Sequence, residues 1–184
     1  MSRASRGYAL QRDELPEAAA VWDEKSFAKT HEVFASGGIY VVRGKLADIL
    51  SRFDLGEGGL VPFPVYKADL ETPYPGEFFL LNFGARKNTL VPEASPNVAE
   101  RGVSPRTGQM LWKVQEWGEG QVALSSAALE GPDLWVEEVL YNKIFMSDAL
   151  AQALISAKLD KDWRLTPCTI VEEIDVIAKQ RAAK

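Results

Sequence analysis

The chain has 184 residues, of which 46% are hydrophobic and 26% are charged. These proportions are typical of globular proteins, so they exclude a disordered or fibrous chain, and the length favours a single domain over residues 1–184. The sequence contains 21 lysines and arginines against 26 aspartates and glutamates, a formal net charge of −5. This acidic balance argues against a protein that binds the phosphate backbone of nucleic acids.

Targeting and metal-binding signals are weak throughout the sequence. The longest apolar run, residues 78–81, is far too short for a membrane span, and we expect a cytoplasmic protein without a membrane partner. The single cysteine, Cys168, cannot form an internal disulfide, which agrees with a reducing compartment. The single histidine, His31, lies far from Cys168 in the sequence, so we predict no metal site and no other cofactor.

The N-terminal part of the chain predicts a short strand at residues 7–11 and then a helix at residues 23–35. Within that helix Phe27, His31 and Phe34 recur at i, i+4 and i+7, which places them on one face. The pair of glycines at positions 37 and 38 can adopt the left-handed conformation that ends a helix.

The next elements follow from clear apolar patterns. Residues 39–42, Ile-Tyr-Val-Val, predict a buried strand, and residues 46–53 have apolar side chains at helical spacing. Residues 61–65 alternate like a strand, and their two prolines place that strand at a sheet edge. Residues 77–83 are so apolar that we expect a strand in the middle of a sheet.

Residues 84–108 contain three glycines and three prolines without a clear period, which predicts a long irregular connection. Residues 110–115, 122–124 and 133–136 then have the character of short strands.

Residues 133–170 predict a strand that ends at Met146, a helix with Ser147 as its N-cap, and a second strand at residues 165–170. The apolar stripe of that helix consists of Ala149, Leu150, Ala153, Leu154 and Ala157.

Two strand–helix–strand units, at residues 39–66 and 143–171, have similar sequences around their helices. Internal duplication and convergence on one pattern both explain this similarity. The predicted fold class is α+β, with mixed or mainly antiparallel sheets and a few packed helices.

Catalytic signals are absent from the sequence patterns. Ser125, Ser126 and Ser147 lack the surroundings of a nucleophile, and adjacent carboxylates such as Glu137 and Glu138 usually point in different directions. We therefore predict no catalytic residues and no enzyme. A small hydrolase or transferase that assembles its site from dispersed carboxylates is the alternative.

One segment, residues 112–138, concentrates negative charge and tryptophan. From residue 113 to residue 138 there are six acidic residues and one lysine, and the segment holds three of the five tryptophans. Carboxylates beside large aromatic rings suit a surface that binds a basic partner, whereas the alternative places the tryptophans in the core and the acids on turns. The candidate partner-binding residues are Trp112, Glu116, Trp117, Glu119, Glu130, Asp133, Glu137 and Glu138.

Several short motifs are similar to those of a known family. They are Phe-Phe-Leu-Leu-Asn-Phe at residues 78–83 with Leu90 and Ser95 downstream, Asp-Leu-Trp at residues 133–135, and Ile-Phe-Met-Ser at residues 144–147 before a helix. On these motifs, over about residues 39–170, the chain resembles the immunity proteins of bacterial polymorphic toxin systems, specifically immunity class eleven.

The resemblance implies a protein that neutralises a cognate toxin domain by stoichiometric binding, and it carries over no catalytic residue. The acidic segment suggests that this toxin domain is basic. An adaptor or chaperone that delivers an effector without inhibiting it remains a third possible function.

Overall fold

The structure is a computed structural model that describes residues 3–140 and 143–172, and it confirms the α+β class. The helices are α1 (Glu24–Phe27), α2 (Gly44–Leu50), α3 (Asp148–Ser156) and α4 (Asp160–Trp163). The strands are β1 (Ala19–Val21), β2 (Val33–Ser36), β3 (Ile39–Arg43), β4 (Gly59–Pro62), β5 (Val65–Lys67), β6 (Phe78–Asn82), β7 (Arg86–Lys87), β8 (Val98–Val103), β9 (Met110–Val114), β10 (Ala123–Ser125), β11 (Leu134–Glu137), β12 (Ile144–Met146) and β13 (Thr169–Val171).

The strands form mostly antiparallel sheets. The largest has the order β2-β3-β6-β4 with every pair antiparallel. A second sheet has the order β12-β11-β7, in which β12 runs antiparallel and β7 parallel to β11. Three strand pairs complete the fold: β1 with β5 and β10 with β13 are parallel, and β8 with β9 is an antiparallel hairpin.

The core consists of three hydrophobic clusters that share the strands of the two larger sheets. Successive side chains of a strand point to opposite faces, so β3 contributes Val41 to an N-terminal cluster and Val42 to a central cluster. Likewise β11 contributes Leu134 to the central cluster and Trp135 to a C-terminal cluster. The central cluster, which also contains the apolar faces of α2 and α3, therefore lies between the two sheets.

Several predicted elements are confirmed. Strand β6 lies between β3 and β4, and β4, which ends at Pro62, lies at the edge of the sheet as predicted. The predicted strand at residues 61–65 is nevertheless interrupted, because Pro64 lies between β4 and β5, which belong to different sheets. The hydroxyl of Ser147 accepts a hydrogen bond from the backbone N–H of Leu150 at 3.2 Å, which caps α3. Leu150 and Leu154 of the predicted stripe are fully buried, whereas Ala149 at its start is exposed.

The predicted helix at residues 23–35 is wrong in its extent. Helix α1 ends at Phe27, and β2 occupies the second half of the range. Gly37 and Gly38, with φ of 59° and 81°, form a two-residue turn that pairs β2 with β3 as a hairpin. Two positive φ angles in such a loop match the twist of a hairpin, so the glycines connect two strands and do not end a helix.

The predicted strand at residues 7–11 is also wrong. A 3₁₀ turn covers Ala4–Arg6, and the side chain of Asn82 binds the backbone of the segment that follows it. The backbone N–H of Leu10 donates to Oδ1 of Asn82 at 2.8 Å, and Nδ2 of Asn82 donates to the Leu10 carbonyl at 3.0 Å. The buried amide of Asn82 thus replaces the partner strand that the sequence pattern suggested.

Replacing Asn82 with alanine should release this N-terminal segment. Both backbone groups of Leu10 would lose their partner, at a cost of about 1–3 kcal/mol in stability. We expect the Leu10 amide to exchange its hydrogen faster by roughly ten-fold or more, while the Val136 amide in β11 serves as the internal reference. Unchanged exchange at Leu10 would show that other contacts hold the segment.

The predicted irregular connection at residues 84–108 is only partly irregular. It contains β7, a 3₁₀ turn at Pro92–Ala94, and β8. Strand β8 escaped prediction because most of its side chains are exposed, so it lacks the alternating burial from which a strand is recognised.

The two strand–helix–strand units differ in their sheet partners. Strands β3 and β4 both pair with β6, whereas β12 pairs with β11 and β13 pairs with β10 in separate sheets. Helices α2 and α3 share the central cluster. Duplication of the unit stays a prediction, as does the single domain. Within residues 3–140 and 143–172, none of the helices is long and apolar enough to cross a membrane.

Candidate partner-binding site

The loop between β9 and β10 presents three of the candidate residues. Glu116, Trp117 and Glu119 are all exposed, and 43% of the Trp117 surface is accessible. At the start of the loop the backbone N–H of Gln115 donates to the Asn97 carbonyl at 2.8 Å, and at its end the side chain of Asn97 donates to that of Gln121. We call Glu116, Trp117 and Glu119 the acidic loop.

A cation already lies beside the Trp117 ring. Nζ of Lys143 is 5.2 Å from the ring centroid, within the range of a cation–π interaction. The contact orients the indole, yet a large part of the ring remains open to solvent. The acidic loop therefore combines an aromatic surface with two carboxylates that can attract a positively charged group.

Trp112 has a different environment. It is half-buried and packs against the C-terminal cluster, and its backbone N–H donates to the Val139 carbonyl at 2.8 Å. These contacts fix β9 to the chain that follows β11. Trp112 thus supports the position of the acidic loop and offers less surface than Trp117.

Glu130 is exposed at the end of a 3₁₀ turn, Ser126–Leu129. Its neighbour Leu129 is a large apolar side chain that is 71% exposed. Outside the acidic loop, the acidic segment therefore has a further accessible carboxylate, Glu130, next to an exposed apolar side chain.

Asp133 and Glu138 bind other parts of the protein. Oδ2 of Asp133 accepts from the backbone N–H of Asp54 at 2.9 Å, and the Asp133 N–H donates to the Asp54 carbonyl at 2.7 Å. Oε1 of Glu138 is 3.2 Å from Nη2 of Arg86, whose Nη1 donates to the Tyr8 hydroxyl at 2.7 Å. Their charges are therefore partly committed to the fold.

Glu137 must be removed from the candidate surface, because only 1% of it is exposed. Its carboxylate accepts hydrogen bonds from the backbone N–H of Thr89 at 2.9 Å and from the Thr89 hydroxyl at 2.8 Å. Burial raises the pKa of Glu137, and the hydrogen bonds from Thr89 oppose that rise. All four residues of β11 are buried because this strand lies between β12 and β7.

Lys87 lies close to the same buried region. Its Nζ is 3.9 Å from the centroid of the Trp135 ring and donates to the Ala128 carbonyl at 3.0 Å. Burial lowers the pKa of Lys87, and the negative charges of Asp133, Asp54 and Glu137 oppose this effect. The arrangement ties β7 to β11 and to the 3₁₀ turn before it.

A groove between β1 and β2 was not predicted from the sequence. Its volume is about 370 Å³, and it is lined by apolar side chains of the N-terminal cluster and by Asp23. Trp22, 75% exposed, lies at its rim. A second groove beside the end of α2 contains Asp54. The exposure of Trp22 is visible only in the structure, and the erroneous helix at residues 23–35 took the place of β2 in the prediction.

The described residues include no cluster of metal ligands and no activated thiol. Within residues 3–140 and 143–172, no group of three histidine, cysteine, aspartate or glutamate side chains is placed to hold a metal ion. Burial raises the pKa of Cys168 to about 11, so its thiol is protonated near neutral pH and is a poor nucleophile.

The geometry leaves the acidic loop and Glu130 as the accessible part of the predicted site. Comparison of the chain with protein-family models gave no match, and comparisons with curated proteins and with solved structures gave none either.

Proposed function

We propose that the protein is a cytoplasmic immunity protein that neutralises a basic toxin domain by stoichiometric binding. The observation that carries the proposal is the exposure of the Trp117 ring in the same loop as the exposed carboxylates of Glu116 and Glu119. The sequence motifs that resemble immunity class eleven support the same function.

The acidic loop has the chemistry of a recognition surface. A large aromatic side chain can supply much of the binding energy once it is desolvated in a complex. Carboxylates around it increase the rate of encounter with a positively charged partner. An arginine or lysine of the toxin would pack on the open part of the Trp117 ring and pair with the carboxylates, and the toxin's active cleft would be blocked by the bound protein.

The two grooves described above do not bring two carboxylates together for catalysis. The groove beside β1 and β2 contains Asp23, and the groove beside α2 contains Asp54. Acid–base hydrolysis by carboxylates normally uses two such groups in one cleft, and each of these grooves holds one.

Co-expression with the toxin encoded beside its gene tests the proposal. We expect a stable complex and restored growth of the host cells. A toxin that neither binds the protein nor is neutralised by it would refute the proposal. A complex in which the toxin remains fully active would instead assign the role of an adaptor.

Charge reversal in the acidic loop should slow the formation of this complex. In the double variant Glu116→Lys and Glu119→Lys, we expect the association rate at low ionic strength to fall by about ten-fold and its dependence on salt to weaken. Stopped-flow fluorescence or surface plasmon resonance would measure both quantities.

A double variant with the same change in net charge provides the control. Glu71 and Glu77 are exposed but lie in a different part of the chain, between β5 and β6. Their replacement by lysine should alter the association rate much less. If both double variants slow association equally, the overall charge and not the acidic loop directs the encounter.

A further inference from the structure

The groove between β1 and β2 is bordered by two sheet edges. In the part of the chain that the structure describes, β1 pairs with β5 on one side, and β2 pairs with β3 on one side. The apolar side chains that line the groove include Val21, Phe27 and Phe34. The groove therefore offers both an apolar surface and the unpaired sides of two strands.

The hydrogen-bonding pattern shows which backbone groups face away from the paired strands. In β1, the N–H of Ala19 donates to the Pro64 carbonyl at 3.0 Å, so in this parallel pair the N–H and C=O of Ala20 point away from β5. In β2, the residues that exchange hydrogen bonds with β3 alternate with residues that do not. Because a two-residue turn joins Ser36 to Ile39, these two residues form a hydrogen-bonded pair, and the next pair, Ala35 with Tyr40, does not. The N–H and C=O of Ala35 therefore point away from β3.

Both Ala20 and Ala35 line the groove, and Ala35 is exposed. Unpaired N–H and C=O groups at a sheet edge are a template for another strand. Trp22 at the rim adds a large exposed aromatic surface, which is characteristic of sites that bind other proteins.

We infer that this groove binds an extended segment of another polypeptide chain, which adds as a strand to the free edge of β2 and places an apolar side chain on Phe27 and Phe34. Strand addition obtains affinity from backbone hydrogen bonds and specificity from the pockets for alternate side chains. The indole of Trp22 then covers the bound segment from the rim.

The charge of the groove determines which polypeptide segments it can bind. Asp23 is the charged side chain in the lining of the groove, and the hydroxyl and N–H of Ser26 donate to its carboxylate at 2.6 and 3.0 Å. These hydrogen bonds lower the pKa of Asp23, so the carboxylate is ionised at neutral pH. A segment with a basic residue next to its apolar residue therefore complements the groove.

This interaction is independent of the proposed immunity function. The groove belongs to the N-terminal cluster, whereas the strand that leads into the acidic loop packs against the C-terminal cluster. A failure of either binding activity would leave the other unaffected.

Selection from a library of randomised heptapeptides, displayed on phage and applied to the full chain, tests the inference. We expect enriched peptides to alternate apolar residues with polar or basic ones, to lack proline in their centre, and to carry a positive charge. One enriched peptide is then synthesised, together with a version in which proline replaces a central residue. Enrichment of proline-rich or acidic peptides, or no enrichment at all, would overturn the inference.

Variants of the groove locate the binding site. Trp22→Ala and Ala35→Pro should each weaken binding of the synthetic peptide by roughly ten-fold or more, because the first removes the aromatic cover and the second removes an outward N–H. Tyr40→Ala is the control, since Tyr40 is exposed opposite Ala35 in β3 but does not line the groove. Equal binding to all three variants would overturn the inference.

Hydrogen exchange distinguishes strand addition from other modes of binding. The amide of Ala35 should exchange rapidly in the free protein and become protected in the complex. Binding of the proline-substituted peptide with unchanged affinity, or an Ala35 amide that stays unprotected, would show that the groove recognises side chains only. Concentration-dependent self-association that the peptide disrupts would assign the groove to a second copy of the chain and overturn the inference.

Discussion

Replacing Leu154 with alanine should lower the free energy of unfolding by about 2–5 kcal/mol. Leu154 is fully buried in the central cluster, where α3 packs against α2 between the two larger sheets. Truncation removes buried apolar surface and leaves a cavity that the surrounding strands cannot easily fill. Urea unfolding followed by circular dichroism would measure the change.

The neighbouring residue provides a matched control on the same helix. Ile155 is 45% exposed, so Ile155→Ala removes a similar side chain and has a similar effect on helix propensity without opening a cavity. We expect this variant to lose less than about 1 kcal/mol. Similar losses in the two variants would mean that α3 is not packed between the sheets as described.

The second large effect should come from Glu137. In Glu137→Ala, the backbone N–H and the hydroxyl of Thr89 lose their buried acceptor, which should cost about 2–4 kcal/mol at neutral pH. Glu137→Gln retains an oxygen that can accept from Thr89, and its neutral side chain avoids the cost of burying a charge. We therefore expect Glu137→Gln to be close to the wild type in stability or above it.

The same two variants should differ in their response to pH. Burial raises the pKa of Glu137 above the ordinary value of 4.5, so the folded protein binds this proton more tightly than the unfolded chain does. The free energy of unfolding of the wild type, measured relative to that of Glu137→Gln, should fall as the pH rises through 4.5 to the raised pKa and stay constant above it. Glu130→Gln, at an exposed position, should show no such difference. A constant difference between wild type and Glu137→Gln across this range would contradict the prediction.

An element was predicted correctly where all of the local sequence signals belonged to that one element. The start of α3 could be predicted because Ser147 and an apolar stripe occur together, and the interior position of β6 followed from its continuous apolar run. The helix predicted at residues 23–35 was wrong because its apolar residues belong to two different elements. Phe27 and Phe34 fit helical spacing, yet they reach the same cluster from a helix and a strand, with their ring centroids 5.2 Å apart. Spacing alone cannot separate these two arrangements.

The candidate site shows the same limit. The exposure of Glu116, Trp117 and Glu119 agrees with the glycines at positions 118 and 120, which predict a turn. The burial of Glu137 depends on the pairing of β11 with β7, which is distant in sequence. The apolar neighbours of Glu137 were a signal for this burial, but the acceptor requirement of Thr89 becomes visible only when the two strands are adjacent.

The three hydrophobic clusters follow the order in which a ribosome makes the chain. The N-terminal cluster and the side chains packed on it come from residues 4–80, whereas the C-terminal cluster and its neighbours come from residues 85–168. Every side chain of the first cluster is therefore synthesised before any of the last. The central cluster needs Leu150 and Leu154 of α3, so it cannot be completed until that late helix has left the exit tunnel. Until then, α3 cannot cover the side of the β2-β3-β6-β4 sheet that faces the central cluster.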